Sequence, residues 1–243
     1  MSTPGPIASA GAYQWPAGWT VEYVTETAST NDDVLATATR RPHRSALAAG
    51  HQTAGRGRLG RRWEAPAGAN LLVSLLFKDV PDDPGELTRR VGLAAVDACR
   101  SIAGVDAVLK WPNDVLVGGA KLAGILAQRG ADGPVAVGLG LNVAWAPDDA
   151  ARLGPGIDPL AVLQTVLTAY EQLPADVMTR YRDALSTLGR RVRIELHDGE
   201  LVGTATAVDD DGRLVVVDDC AITHRCSAGD VIHLRALDEP EPG

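Results

Sequence analysis

The chain has 243 residues, 45% of them hydrophobic and 22% charged, which suits a globular core carrying a small appendix. No apolar run approaches the roughly 20 residues of a membrane span, and the opening MSTPGPIASAGAYQWPAGW lacks the basic and apolar regions of a secretory signal, so a cytoplasmic protein without membrane attachment is expected. The net charge of −8 disfavours generic nucleic-acid binding; Cys99, Cys220 and Cys226 form no CxxC pair and the five histidines show no ligand spacing, which disfavours a disulfide framework and a zinc site.

In chain order, residues 1–20 read as a flexible arm. Thr30, followed three residues on by Asp33, has the spacing of a capping box and predicts a short helix over 31–39. The apolar run at 71–77 predicts a strand. Leu87, Val91, Leu93, Ala94, Val96, Ala98 and Ile102 form a broad helical stripe, which predicts a packed helix over 87–103. Short runs rich in Val, Leu and Ile predict strands at 105–109, 115–117, 122–128 and 135–143. Gly118-Gly119 and Asp132-Gly133 read as two-residue hairpin turns between them, so neighbouring strands should be antiparallel. Helical spacing returns over 159–173 and 175–188, with Pro174 between. The expected fold class is α+β, with a mixed or antiparallel sheet flanked by helices over 21–188. Beyond Gly189, alternating runs at 192–196, 201–208, 214–217, 222–226 and 231–234, separated by Asp198-Gly199, Asp211-Gly212 and Gly229-Asp230, predict a small closed β-barrel over 189–236. Residues 237–243 are expected to be a disordered tail.

Gly55, Gly57 and Gly60 satisfy the spacing of a dinucleotide-binding loop, but that loop must open a helix, and here Pro66 and Gly68 lead into a strand. The arginines say more. Arg56, Arg58, Arg61 and Arg62 set four guanidiniums within seven residues of an acidic chain, either as a solvated basic loop or as a site for a polyanion. In KWPNDVLVGGAKLAGILAQ (110–128), Lys110, Asn113 and Asp114 sit at a strand end and the hairpin returns Lys121 beside it. Asn-Asp is also ordinary turn chemistry, and Lys121 is either a surface snorkel or a cation in a partly desolvated cleft.

Ser29-Thr30-Asn31, Gln52, GRGRLGRRW (55–63), KWPNDVLVGGAKLAGIL (110–126) and GLGLNV (138–143), in this order, resemble the biotin–protein ligases, over roughly residues 25–234. The resemblance implies a class II synthetase-like biotin/lipoate ligase core with an SH3-like C-terminal domain. It also implies an enzyme that makes biotinyl-5′-AMP from biotin and ATP and transfers biotin to a lysine of a biotin carboxyl carrier domain. Family members that are also repressors carry an N-terminal helix-turn-helix domain; only about 20 residues precede this core, so no DNA binding is expected, and the assembly is expected to be a monomer or weak homodimer. By position, the resemblance assigns biotin to Ser29, Thr30, Asn31, Gln52, Gly55, Arg56, Gly57, Arg58, Lys121, Gly124 and Ile125. It assigns ATP to Arg58, Arg61, Trp63, Asn113, Lys121 and Asn142. Hydroxyl and amide groups suit a ureido ring with two N–H donors and one carbonyl. Where relatives often carry a basic residue after GRGR, this chain has Leu59.

Attack of the biotin carboxylate on the α-phosphate brings two anions together. A unit cation ~4 Å away is worth about 4 kcal/mol at an effective dielectric near 20, roughly three decades of rate if felt only in the transition state. Lys121 is the candidate, assisted by Arg58, Arg61 and Mg2+, with Asp114 as the metal carboxylate. The arginine-glycine loop is expected to order over the adenylate and exclude water. Two rivals are a lipoate–protein ligase, which shares the acyl-adenylate logic, and a non-enzymatic RNA-binding module, which the net charge and the lack of RNP patterning disfavour.

Overall fold

The computed structural model describes residues 13–131, 133–196, 199–227 and 230–233. Its centre is a seven-stranded sheet of β1 (Thr20–Thr27), β2 (Ser45–Gln52), β3 (Leu71–Phe77), β4 (Val108–Lys110), β5 (Asp114–Val117), β6 (Ala120–Arg129) and β7 (Val135–Leu141). The order is β1-β2-β3-β7-β6-β5-β4. All pairings are antiparallel except β1 with β2, whose crossover is made by α1 (Thr30–Ala36). The sheet is therefore mixed. Gly118 and Gly119 adopt φ of 57° and 84°, the left-handed pair a tight hairpin requires, and they join β5 to β6 as predicted. Of the second predicted turn, Asp132 lies outside the described residues; β6 and β7 do pair antiparallel.

Alternate residues of the central strands face opposite layers. Ala46, Ala48, Leu75, Val135 and Val137 join the main core with α2 (Gly85–Ala103) and α3 (Pro159–Glu171). Leu47, Leu76 and Ala136 point the other way, against Val34 and Ala38 on and just after α1. Seven residues long, α1 covers only part of its face. The uncovered part holds the candidate site. The helix α2 ends where Gly104, at φ 64°, turns its N–H back to the Arg100 and Cys99 carbonyls, a glycine stop that needs no Cβ.

Several expectations are corrected. Strands β1 and β2 went unpredicted. SALAAGHQ of β2 is poor in β-branched residues, yet its first six residues are buried, because its two faces pack into the two hydrophobic clusters. Ser29, not Thr30, is the N-cap, accepting from Asp32 N at 3.4 Å, since Thr30 is drawn inward. The helix expected over 175–188 is only α4 (Met178–Ala184). Residues 13–19 are no loose arm: Trp19 is buried edge-on against Phe77 and Tyr170 and donates to Glu171 Oε1 at 2.8 Å, while Tyr13 bonds Asp158.

The C-terminal strands β8 (Arg191–Leu196), β9 (Gly199–Val208), β10 (Leu214–Asp218), β11 (Thr223–Cys226) and β12 (Asp230–His233) form an antiparallel sheet ordered β11-β10-β9-β8-β12. Among the described residues no ladder joins β11 to β12, each only four residues long. The sheet's inner residues Val192, Ile194, Ala205, Leu214 and Val216 are continuous with the main core. Asp198, Gly229 and the tail lie outside the described residues, and no described helix is long and apolar enough to cross a membrane.

Candidate functional site

On the α1 face of β6 and β7, the register sets Gly124 opposite Gly140 and Leu126 opposite Gly138. Three missing side chains in adjoining positions leave a trough. Trp63 lies in it: a methyl on Gly140 would stand 2.5 Å from Trp63 Cε2, and one on Gly124 would stand 3.2 Å from Cζ3. The indole nitrogen of Trp63 is buried and has no hydrogen-bond partner. About 60 Å³ of open space remains, lined at one end by Ser29, Thr30, Asn31 and Gln52 and at the other by Asn113 and Lys121.

The first end is neutral and polar. Gln52 Oε1 accepts from the backbone N–H and the hydroxyl of Thr30, at 2.8 and 2.9 Å. Ser74 Oγ lies 2.7 Å from Thr30 Oγ1 and 2.6 Å from Asn31 Oδ1 and donates to one at a time. The Asn31 amide spends its N–H groups on Leu126 O at 3.0 Å and Gln128 Oε1 at 2.6 Å, so this residue braces the wall. Buried hydroxyls and amides satisfied this way form a fixed array, ready for a planar neutral head group.

The second end is cationic. Residues 55–63 form a narrow loop closed by Gly57 N to Arg61 O at 2.7 Å and Trp63 N to Gly55 O at 3.0 Å. Gly55 permits this closure, since a methyl there would stand 2.4 Å from Trp63 O. Arg56 pairs with Asp32, and Arg58 Nη1 donates to Asn113 Oδ1 at 3.1 Å. Asn113 Nδ2 donates to Ile125 O at 2.7 Å, and Ile125 N donates back to Asn113 O at 2.9 Å, joining the 110–114 turn to the trough wall. Lys121 Nζ lies 2.6 Å from Asp114 Oδ1 and 5.6 Å from the Trp63 ring centroid. With the lysine side chain 40% exposed, this ion pair is worth at most about 1 kcal/mol and is readily exchanged for another anion.

Of the residues singled out from sequence, Ser29, Thr30, Asn31, Gln52, Arg56, Gly57, Trp63, Asn113, Lys121, Gly124 and Ile125 line the trough. Arg58 borders it through Asn113, while Gly55 shapes the loop and Arg61 is exposed on it. Asn142 does not line it. It is buried, its Nδ2 donating to Ala151 O at 3.0 Å and its Oδ1 accepting from Asn70 at 3.2 Å, so it braces backbone next to the site. Asp114 is paired with Lys121, and no three His, Cys, Asp or Glu side chains cluster among the described residues. Sequence reasoning missed Ser74, Gly138 and Gly140. Ser74 carried a signal, as the one hydroxyl in the apolar run LLVSLLF.

A family model described as the biotin/lipoate A/B protein ligase family matches residues 23–142, and one described as the biotin protein ligase C-terminal domain matches 187–234. The chain is 38% identical to the biotin–[acetyl-CoA-carboxylase] ligase of Mycobacterium tuberculosis, covering 90% of this chain and 91% of that one. The bifunctional ligase/repressor BirA of Bacillus subtilis is 30% identical, over 72% of this chain and 62% of its own length. The biotin protein ligase of Aquifex aeolicus, solved in complex with biotin and ATP, superposes with a TM-score of 0.76 at 26% identity, over 89% of this chain and 99% of that one. The chain belongs to the biotin/lipoate A/B protein ligase family, and within it to the biotin protein ligases.

Proposed function

We propose that this protein joins biotin to ATP as biotinyl-5′-AMP and passes the biotin to a lysine of a biotin carboxyl carrier domain. The observation that carries this reading is the polarity along the trough. A neutral array of Thr30, Gln52 and Ser74 gives way to a glycine floor with Trp63, then to Lys121 with Arg58 behind Asn113. Biotin has the same succession of ureido ring, apolar body and carboxylate. The activity named for the Mycobacterium tuberculosis relative, and the biotin and ATP held by the Aquifex aeolicus enzyme, support it.

In this reading Lys121 exchanges Asp114 for the converging anions. A carboxylate oxygen attacks the α-phosphorus, the bond to the β-phosphate oxygen breaks, and pyrophosphate leaves. Lys121, Arg58 and Arg61 offset the charge that gathers there. The carrier amine then attacks the acyl carbon, AMP leaves, and the amine proton passes to solvent. Magnesium enters as the escort of ATP on its phosphates. The need for ATP supports a cytoplasmic setting. Mass spectrometry of a carrier domain incubated with this protein, biotin and MgATP is expected to show one biotin on one lysine. No adduct, or an adduct formed only with lipoate, would overturn the reading.

A further inference from the structure

The C-terminal sheet meets the site at the turn of residues 209–213 between β9 and β10. That turn is held from within and without. Gly212 N donates to Asp209 O at 3.0 Å, and Arg213 reaches Asp209 Oδ2 at 2.8 Å and Asp211 Oδ2 at 2.7 Å. From α4, Arg182 donates to Val208 O at 2.9 Å and to Asp210 Oδ1 at 2.6 Å. The Gly212 carbonyl accepts the indole N–H of Trp111 at 2.9 Å. A methyl on Gly212, which adopts φ of 79°, would stand 2.3 Å from Arg89 Nη1, so only glycine makes this approach. Arg89 itself is a buried wall, paired with Asp83 and set 5.9 Å over the Tyr181 ring.

Apolar burial already fastens the sheet to the core through Val192, Ile194 and Val216. A directional hydrogen bond from a buried indole adds orientation more than adhesion. What it orients stands two residues away. Trp111 is followed by Pro112 and then by Asn113, whose amide holds both Ile125 of the trough and Arg58 of the loop.

We propose that the Trp111–Gly212 contact is a positioning device through which the C-terminal sheet fixes Asn113, and so keeps Arg58 closed over the adenylate. This rests on the ligase reading. Trp111 and Gly212 touch no reacting atom; they act through Asn113.

The test uses the full-length protein after wild type has been shown to form biotinyl-AMP, a step whose failure would remove the ligase reading instead. Trp111→Phe deletes the indole N–H, and Arg182→Gln slackens the turn from the side away from the trough. Each is expected to release bound adenylate about five- to tenfold faster, the worth of one hydrogen bond, and to raise the KM for ATP while the KM for biotin stays within about twofold. Val216→Ala opens a cavity inside the sheet, so it should lower Tm yet leave the adenylate lifetime unchanged. In an Arg58→Gly background, Trp111→Phe should add less than about twofold, because both act on one contact. Wild-type adenylate lifetimes in both variants, full additivity with Arg58→Gly, or an equal loss of lifetime in Val216→Ala would each overturn the proposal. Should Trp111→Phe fail to fold, Arg182→Gln, whose side chain is 34% exposed, decides alone.

Discussion

Lys121 shares its ammonium between the Asp114 carboxylate and the Trp63 face, toward the cationic end of the trough. Lys121→Gln keeps polarity and approximate length but removes the charge. Adenylation should fall by about two to three decades, the share estimated for a transition-state cation, while biotin affinity changes by less than about tenfold. Transfer from supplied biotinyl-AMP should suffer less, since the phosphorus–oxygen bond is already made; single-turnover assays of both half-reactions separate these outcomes. Gly140→Ala probes the floor. The added methyl meets the Trp63 ring at 2.5 Å and must drive it from the trough, so biotin affinity should drop by about tenfold or more in calorimetry, with a stability loss of about 1–3 kcal/mol. Arg58, Asn113 and Lys121 were legible because charged and polar side chains clustered beside apolar runs stand out in the chain, whereas Thr30 and Gln52 were assigned to the site only by the family resemblance. The roles of Gly138 and Gly140 were not legible, because they lie in the cross-strand register of β6 with β7. Asn142 misled for a related reason: a sequence cannot distinguish an amide that serves backbone from one that faces a ligand.

Leu59 at the tip of the 55–63 loop is 71% exposed at φ 55°, a conformation that costs a non-glycine residue roughly 1 kcal/mol. Amides of residues 55–62 should therefore exchange faster than those of β6 and β7 in the free protein and become protected with biotinyl-AMP. Equal exchange in both states would show that the loop is no lid. Arg58→Gly breaks the link to Asn113 and frees the backbone, so adenylate should form but escape, biotinylating lysines of bystander proteins. An unchanged adenylate half-life would remove Arg58 from the retaining contacts. Among the elements, α2 was legible almost to its ends, since a broad apolar stripe and a terminal glycine are local signals. Strand β2 was illegible because burial on both faces, not local propensity, makes it a strand.

Across the whole molecule, burial pushes the Tyr170 hydroxyl and the Cys99 thiol each up to about 12 and raises Tyr181 further. These groups are neutral when protonated, so the folded state holds protons that the unfolded chain releases from about pH 9 for Cys99 and about pH 10 for the tyrosines. Their contribution to stability is complete below those values and is lost as pH rises toward 12. Urea midpoints should hold to about pH 9 and fall by pH 11, and Tyr170→Phe should flatten that fall. At this scale the order of a helix-flanked sheet followed by a β segment was legible from the change in periodicity near Gly189. Barrel closure rests on whether two four-residue strands far apart in the order meet, which periodicity alone does not fix.

The pairing of β3 with β7 has a kinetic consequence. Leu71 lies opposite Leu141, so the strand that carries Gly138 and Gly140 joins β3 only after residues 78–134, which hold α2 and β4 to β6, have been looped out between them. Such long-range closure is slow, and the trough is whole only when it is complete. Biotin thus meets a finished site and has little to hold on to in the folding transition state. In stopped-flow experiments it should slow unfolding in proportion to its occupancy and leave the refolding rate of the chain unchanged.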